Sequence, residues 1–148
     1  MGEVGAAHIA GVLDIHQAMR IVCRRSALMA RTRGQGAMAT VGLSLREAER
    51  RLAGRAAQLS IAANNAPTSC VVSGETVALA ALMAELDAGG VFCRLVKVDV
   101  ASHSPQMAEP ALELAAELAG LAPHEARRPI HSTLLGRAAQ GREFDAAY

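Results

Sequence analysis

Two side chains in this sequence have the type and position that chemistry would need, and the first is Arg25. Apolar residues recur around it at helical spacing. On a helical wheel Arg25 falls between Val22 and Met29, inside the apolar arc, whereas Arg24 falls on the polar side. A buried guanidinium without a partner is costly, so Arg25 must meet a carboxylate. That carboxylate belongs either to the protein, as an ordinary structural ion pair, or to a ligand.

The second side chain is that of His103. It follows a predicted strand and immediately precedes Ser104 and Pro105, a pair typical of a helix start. Loops on a rigid scaffold often carry general bases, and an imidazole suits that role. A lone histidine is also often a structural residue, so the pattern around His103 leaves both roles open.

The elements that would position Arg25 lie at the start of the chain. The apolar spacing from Leu13 to Arg33 predicts one long amphipathic helix, which ends in the glycine-containing stretch RGQGAM. The chain opens on MGEVGAAHIAG, whose small residues allow close backbone approach and predict a helical turn with little polar surface. Because an N-terminus is usually a solvated tail, we expect a further segment upstream of Met1.

The middle of the chain predicts a small subdomain. Strands are predicted at AMATVGL, LSIAA, TSCVVSG and VFCRLVKVDV, and helices at SLREAERRLAG and ETVALAALMAELDAGG. Ser44 and Glu47 predict a capping box on the first of these helices, and NNAP is predicted as the turn between the second and third strands. Strand, helix, strand, strand, helix, strand is the order of a ferredoxin-like subdomain, which we expect over residues 37–100.

The last part of the chain begins with a further predicted helix, SPQMAEPALELAAELAG. Ser104 is its expected cap, Pro105 takes the first helical position, and Pro110 lies near enough to the start to be tolerated. The residues after this helix lack clear periodicity. We therefore expect residues 1–36 and 101–148 to be parts of a second, larger body into which the subdomain is inserted.

Composition excludes several classes of function. The 15 Lys and Arg and the 14 Asp and Glu are interspersed, and one Tyr, two Phe and no Trp are available for base stacking, which argues against nucleic-acid binding. Cys23, Cys70 and Cys93 lie far apart, so no zinc site or disulfide framework is indicated and a cytoplasmic location is expected. No apolar run reaches the roughly 18 residues of a membrane span, and no secretion signal is recognisable.

Several ordered motifs resemble the acyltransferase domain of modular polyketide synthases and the related malonyl transacylases of fatty-acid synthesis. In that family a nucleophile elbow, Gly-His-Ser-x-Gly-Glu, continues into an alanine-rich helix that ends Ala-Gly-x-Leu, and MGEVGAAHIAGVL is similar to this motif from its variable position onward. The family's carboxylate-binding arginine, which is followed by Ser, corresponds to Arg25. Its catalytic histidine, at the end of a short motif, corresponds to His103 in VASH. The stretches GAM, NAPTSCVVSG and FDAAY are also similar, so the resemblance covers nearly the whole chain.

The resemblance implies a fold and a mechanism. The fold is expected to be of the α/β (α+β) class, with the ferredoxin-like subdomain inserted in a partial α/β-hydrolase-like large subdomain. The nucleophilic serine would be the residue just before Met1, and the backbone N–H of Met1 would supply half of an oxyanion hole. His103 would act as general base and then general acid, and Arg25 would bind the free carboxylate of a malonyl-type group.

Further substrate-binding residues follow from the resemblance. Gln35 and Met38 either line the acyl pocket or pack in the core, and Asn65 either contacts ligand or braces its turn. Val100 and Ser102 belong to the motif VASH, which resembles the Tyr-Ala-Ser-His form linked to methylmalonyl units more than the His-Ala-Phe-His form linked to malonyl units. No metal and no bound cofactor are expected.

The resemblance also implies the substrates and partners. The domain would transfer a malonyl-type extender unit, with methylmalonyl as one candidate, from acyl-CoA to the phosphopantetheine of an acyl carrier protein, alongside other polyketide synthase domains. Without the serine, the chain by itself is expected not to become acylated. One alternative is a catalytically inactive split or pseudogene fragment that acts at most as a docking piece. Another is a free-standing ferredoxin-like binding module, which would explain neither Arg25 nor His103.

Overall fold

The computed structural model describes residues 2–148 and separates them into two units. The central unit comprises residues 29–110, and the terminal unit comprises residues 111–148 together with those before residue 29. Within residues 2–148, no helix combines the length and the apolar character that crossing a membrane requires.

A four-stranded antiparallel sheet with two helices makes up most of the central unit. Its elements in chain order are β1 (Gly36–Val41), α1 (Leu45–Leu52), β2 (Leu59–Ala66), β3 (Ser69–Glu75), α2 (Thr76–Ala88) and β4 (Cys93–Leu95). The strands are arranged β2-β3-β1-β4, so each crossover helix joins two strands that are separated by a third. The predicted order of strands and helices is confirmed.

The core of the central unit lies on one face of the sheet. Alternate residues of β1, among them Ala39 and Val41, point into it together with Leu79, Leu82 and Leu86 of α2, all fully buried. These three leucines recur at the spacing that places side chains on one helical face. Residues at the intervening positions of the strands therefore lie on the opposite face.

The predicted capping box at the start of α1 is confirmed. The Ser44 hydroxyl accepts a hydrogen bond from the Glu47 backbone N–H at 3.4 Å, and the Glu47 carboxylate accepts one from the Ser44 backbone N–H at 3.1 Å. These reciprocal bonds satisfy two backbone donors that the helix itself leaves without partners.

Two details of the predicted strands are wrong. The turn was expected at NNAP, but β2 continues through Asn64 and Asn65 to Ala66, and the turn is formed by Pro67 and Thr68. Register shifts in this part of β2 accommodate the residues that do not favour strands. The last strand is also much shorter than VFCRLVKVDV, since only Cys93, Arg94 and Leu95 of that stretch pair with β1.

The terminal unit packs helices against a small hairpin. Its elements are α3 (Gly2–Ile9), α4 (Ile15–Ala30), α5 (Ala108–Glu117), β5 (Ile130–Ser132) and β6 (Arg137–Ala139), where α4 and α5 each extend a few residues into the central unit. The predicted long helix is α4, shorter at both ends than expected. A 3₁₀ turn, Pro105–Met107, precedes α5, and Pro110 lies in the first turn of that helix, where proline is tolerated. The β5–β6 hairpin was not predicted.

The fully buried Leu82 offers a test of the central core. Leu82→Ala is expected to lower the free energy of unfolding by about 2–5 kcal/mol, because the leucine leaves a cavity that its neighbours cannot fill. Val77 lies on the same helix and is 82% exposed, so Val77→Ala should change that free energy by less than about 0.5 kcal/mol. Urea denaturation of the two variants measures the difference, and equal losses would contradict the described packing of α2.

Candidate functional site

Arg25 contributes to the wall of a cavity inside the terminal unit. The cavity has a volume of about 340 Å³ and is lined mainly by apolar side chains of α3, α4, α5 and the C-terminal residues. Arg25 is half-buried, and the other polar side chains in the wall are Glu3, Asp145 and Tyr148. Arg25 is thus the only cationic residue among the described residues that line this cavity.

Both acidic residues in the cavity wall already have partners. Glu3 accepts hydrogen bonds from the backbone N–H and the hydroxyl of Thr133 at 2.7 and 2.8 Å, and from the Tyr148 hydroxyl at 2.9 Å. The backbone bond from Thr133, the largest contribution, lowers the pKa of Glu3, so its carboxylate is charged at neutral pH. Asp145 accepts hydrogen bonds from the backbone N–H groups of Ala147 and Tyr148 at 2.9 and 3.0 Å.

The two neighbouring arginines of α4 have different environments. Arg24 is 60% exposed at its side chain, and its Nε lies 3.4 Å from a carboxylate oxygen of Glu117. Arg20 donates a hydrogen bond to the carbonyl of the same glutamate. Arg25 forms no ion pair with any carboxylate of residues 2–148, although it is the more buried of the pair. The described part of the chain therefore does not contain the structural ion pair that was one of the two alternatives for Arg25.

In the central unit, His103 is exposed and has an unusual backbone. Its φ is +63°, and among residues 2–148 no other residue except glycine has a positive φ. Left-handed backbone is unfavourable for a residue with a Cβ, so neighbouring contacts must hold it. The carbonyl of His103 accepts a hydrogen bond from the Ser60 hydroxyl of β2 at 2.5 Å.

The segment on either side of His103 is anchored by packing. Ala101 is fully buried, and a Cβ added to Gly36 at the start of β1 would lie 2.4 Å from its side chain. This close approach requires glycine at residue 36. On the other side, the buried Ser104 accepts a hydrogen bond from the backbone N–H of Gln106 at 3.3 Å, which starts the following helical turn. The VASH segment is therefore fixed at both of its ends.

Several predicted substrate-binding residues lie near this segment. The carbonyl of Gln35 accepts a hydrogen bond from the side-chain amide of Gln106 at 3.0 Å, three residues beyond His103. Met38 is half-buried on the sheet face opposite the core, at a position that pairs with Ser73 of β3. Val100 and Ser102 are both half-buried in the segment itself.

Asn65 lies elsewhere in the same unit. It is exposed near the hairpin end of β2, whereas Ser60, which contacts His103, lies near the other end of that strand. Five residues of strand span about 16 Å, so the central unit does not bring Asn65 together with His103. Arg25 lies in the terminal unit and His103 in the central unit. The predicted role of Met1 concerns a residue outside the described part of the chain.

Two sets of contacts around Arg25 and His103 could not be predicted from the sequence. Ser60 contacts His103 over a separation of 43 residues, and no local motif marks it. Only its position between the core-facing Leu59 and Ile61 places it on the outer face of the sheet. The bonds from Thr133 and Tyr148 to Glu3 also join distant parts of the chain. Within residues 2–148, no three His, Cys, Asp or Glu side chains are grouped to hold a metal ion.

Comparison with known proteins places these features in a family. The family model described as "Acyl transferase domain" matches residues 1–148. The chain is 43% identical over 147 residues to erythronolide synthase EryA2 of Saccharopolyspora erythraea, a match that covers 99% of this chain and 4% of that protein. It therefore spans only a small part of the length of this relative.

Solved structures similar to this chain include acyltransferases. The acyltransferase domain from module 8 of the salinomycin polyketide synthase is similar, with a TM-score of 0.89 and 35% identity over 99% of this chain and 35% of that one. The malonyl CoA-acyl carrier protein transacylase of Burkholderia pseudomallei is similar with a TM-score of 0.75 and 28% identity, covering 94% of this chain and 48% of that one. The predicted α/β class and the predicted resemblance are confirmed, and the chain belongs to the acyl transferase domain family.

Proposed function

We propose that this chain is the part of a polyketide synthase acyltransferase that binds a carboxylate-bearing acyl group, of the malonyl type, during its transfer from CoA to an acyl carrier protein. The observation that carries the proposal is Arg25. Arg25 is half-buried and lines a cavity of about 340 Å³, and the two carboxylates of that wall are engaged by other groups. A carboxylate supplied by a ligand would give Arg25 the partner that the described protein residues do not.

The type of residue suits the proposed ligand. A guanidinium presents paired N–H donors in a plane, which matches the two oxygens of a carboxylate, and such bidentate pairs are both strong and specific. Acyl groups without a carboxylate, such as acetyl, would gain nothing from this contact. Arg25 would therefore select malonyl-type thioesters over plain acyl thioesters.

His103 is proposed to move the proton. The nucleophilic serine is expected immediately before Met1, in a longer polypeptide. As its oxygen attacks the thioester carbonyl, the His103 imidazole takes the hydroxyl proton and then gives it to the departing thiolate of CoA. The serine ester forms and the carbon–sulfur bond breaks. Attack by the phosphopantetheine thiol of the carrier protein reverses these steps, and the backbone N–H of Met1 would stabilise the oxyanion.

The choice of extender unit is proposed from the motif VASH. Its similarity to the methylmalonyl-linked Tyr-Ala-Ser-His form favours methylmalonyl, and Val100 is the one residue of VASH that departs from that form. Loading assays with malonyl-CoA and methylmalonyl-CoA, run side by side, distinguish the two substrates. A higher kcat/KM for malonyl-CoA would overturn this preference and leave the role of Arg25 intact.

The domain is proposed to consist of two subdomains and to act together with several partners. Residues 37–100 would form the inserted ferredoxin-like subdomain, and residues 1–36 and 101–148 would belong to the larger body of the domain. The partners would be acyl-CoA, the acyl carrier protein and the other domains of a cytoplasmic synthase. Support comes from the similar acyltransferase domain, whose name specifies the salinomycin polyketide synthase, and from the transacylase, whose name specifies malonyl CoA and acyl carrier protein.

A direct test compares two polypeptides by mass spectrometry. After incubation with malonyl-CoA or methylmalonyl-CoA, the present chain is expected to carry no acyl adduct, whereas a polypeptide extended upstream through Gly-His-Ser should gain one. Replacing that serine by alanine is the matched control, because it removes the nucleophile alone. An adduct on the present chain would show that the nucleophile is wrongly assigned. No adduct on either polypeptide would favour the non-catalytic docking piece.

A further inference from the structure

The backbone at His103 is a strained point in an otherwise ordinary segment. A residue with a Cβ rarely adopts a φ of +63°, because the Cβ then approaches its own backbone. Such strain persists only where surrounding contacts determine the conformation. Since the direction of a side chain follows from its backbone angles, the contacts that maintain this φ also decide where the imidazole lies.

The backbone around His103 is anchored on both sides and closed by a turn. Before the segment, the backbone carbonyl of Asp99 accepts a hydrogen bond from the backbone N–H of Gly34 at 2.7 Å, and Ala101 is buried against Gly36. After the segment, Ser104 begins the next helical turn. The peptide between His103 and Ser104 takes part in two hydrogen bonds. Its N–H donates to the Ala101 carbonyl at 3.3 Å, which closes a turn within the segment, and its carbonyl oxygen accepts from Ser60, which lies outside the segment.

Ser60 holds this carbonyl. Its hydroxyl donates to the His103 carbonyl oxygen at 2.5 Å, and the serine is half-buried in a strand of the central sheet. Ser60 pairs with Ser73 of β3, and a strand residue paired in a sheet is a rigid support compared with a loop. The bond therefore ties the strained peptide to the central sheet, at a residue of β2 that lies before the register shifts of that strand.

We propose that Ser60 is a positioning residue for the acyl transfer, which keeps the imidazole of His103 in place by tying the turn at residues 101–104 to the central sheet. The inference rests on the proposed function, in which His103 moves the proton. Without the hydroxyl, the turn keeps its internal bond but loses its tie to β2, so the imidazole is expected to move away from the serine nucleophile. A displacement of about 1 Å in such a group is enough to lower a rate by up to about 100-fold.

The test uses the extended polypeptide with its Gly-His-Ser elbow and measures kcat and KM for malonyl-CoA and methylmalonyl-CoA. Ser60→Ala is expected to lower kcat about 10- to 100-fold with KM changed less than about twofold, because substrate binding does not depend on the imidazole. Ser60→Thr keeps the hydroxyl and should restore most of kcat. Ser69→Ala, on the adjacent strand β3, is the matched control. If Ser60→Ala does not fold, Ser60→Cys keeps the size of the side chain and weakens the donor.

The outcomes separate this inference from the proposed function. A His103→Ala variant with unchanged kcat would overturn the proposed function. If His103→Ala loses activity but Ser60→Ala and Ser60→Cys match the unmodified protein, the positioning role is wrong. Equal losses in Ser60→Ala and Ser60→Thr, accompanied by a lowered Tm, would show that Ser60 acts only through packing and would also overturn it.

Discussion

His103→Ala, in the polypeptide that includes the Gly-His-Ser elbow, is expected to lower kcat for acyl transfer by about 10²- to 10⁴-fold, the range that a positioned general base usually contributes. A serine hydroxyl is a weak nucleophile until a base takes its proton, and no other histidine lies in the VASH segment. Steady-state rates of malonyl transfer to acyl carrier protein measure the effect. His131→Ala, which removes an exposed histidine of β5, is the matched control.

A second variant separates the imidazole from the backbone that carries it. Asparagine tolerates left-handed backbone better than most residues, so His103→Asn should keep the segment folded while removing the base. We expect it to lose as much activity as His103→Ala. If His103→Asn retained most of kcat, the contribution of His103 would lie in the backbone conformation at residue 103, and a proton-transfer role would be ruled out.

Arg25→Ala is expected to lower kcat/KM for malonyl-type thioesters by about 10- to 150-fold, which corresponds to the loss of a hydrogen-bonded charge interaction. The kcat/KM for acetyl-CoA should not fall, because acetyl has no carboxylate for Arg25 to bind. The kcat/KM for malonyl-type thioesters divided by that for acetyl-CoA, measured in competition assays, should therefore decrease in Arg25→Ala. Arg25→Lys keeps the charge but not the paired donors, so its preference for malonyl-type thioesters should lie between those of the unmodified protein and Arg25→Ala.

Arg24→Ala is the control that the helix itself supplies. Arg24 precedes Arg25 on α4, is exposed, and pairs with Glu117, so its removal changes the same net charge without touching the cavity wall. It should leave the preference for malonyl-type thioesters unchanged. Equal losses of preference in Arg24→Ala and Arg25→Ala would attribute the selectivity to overall charge and contradict a specific contact.

Much of the central unit could be predicted because its signals are local. The capping box of Ser44 and Glu47, the leucine spacing of α2 and the βαββαβ order all depend on residues close together in the chain. The end of β2 was mispredicted because Asn64 and Asn65 favour turns in isolation, whereas pairing with β3 extends the strand past them. Pairing is a tertiary effect, and it prevailed over local preference.

In the candidate site, too, local features could be predicted from the sequence, whereas features that depend on distant residues could not. That Arg25 lies on the less exposed side of its helix follows from helical spacing. That no described carboxylate pairs with it depends on Thr133, Tyr148 and the C-terminal turn, which engage Glu3 and Asp145 from distant parts of the chain. The bond from Ser60 to the left-handed turn at His103 was equally hidden, because the two residues are 43 positions apart.

The contact between Gly36 and Ala101 constrains how the VASH segment can be redesigned. A Cβ at residue 36 would come within 2.4 Å of the Ala101 side chain, so neither position has room for a larger group. Val100 and Ser102 are only half-buried and can vary. Both family motifs, Tyr-Ala-Ser-His and His-Ala-Phe-His, also keep alanine second. Motif grafting can therefore change residues 100 and 102, whereas residue 101 between them has to remain alanine.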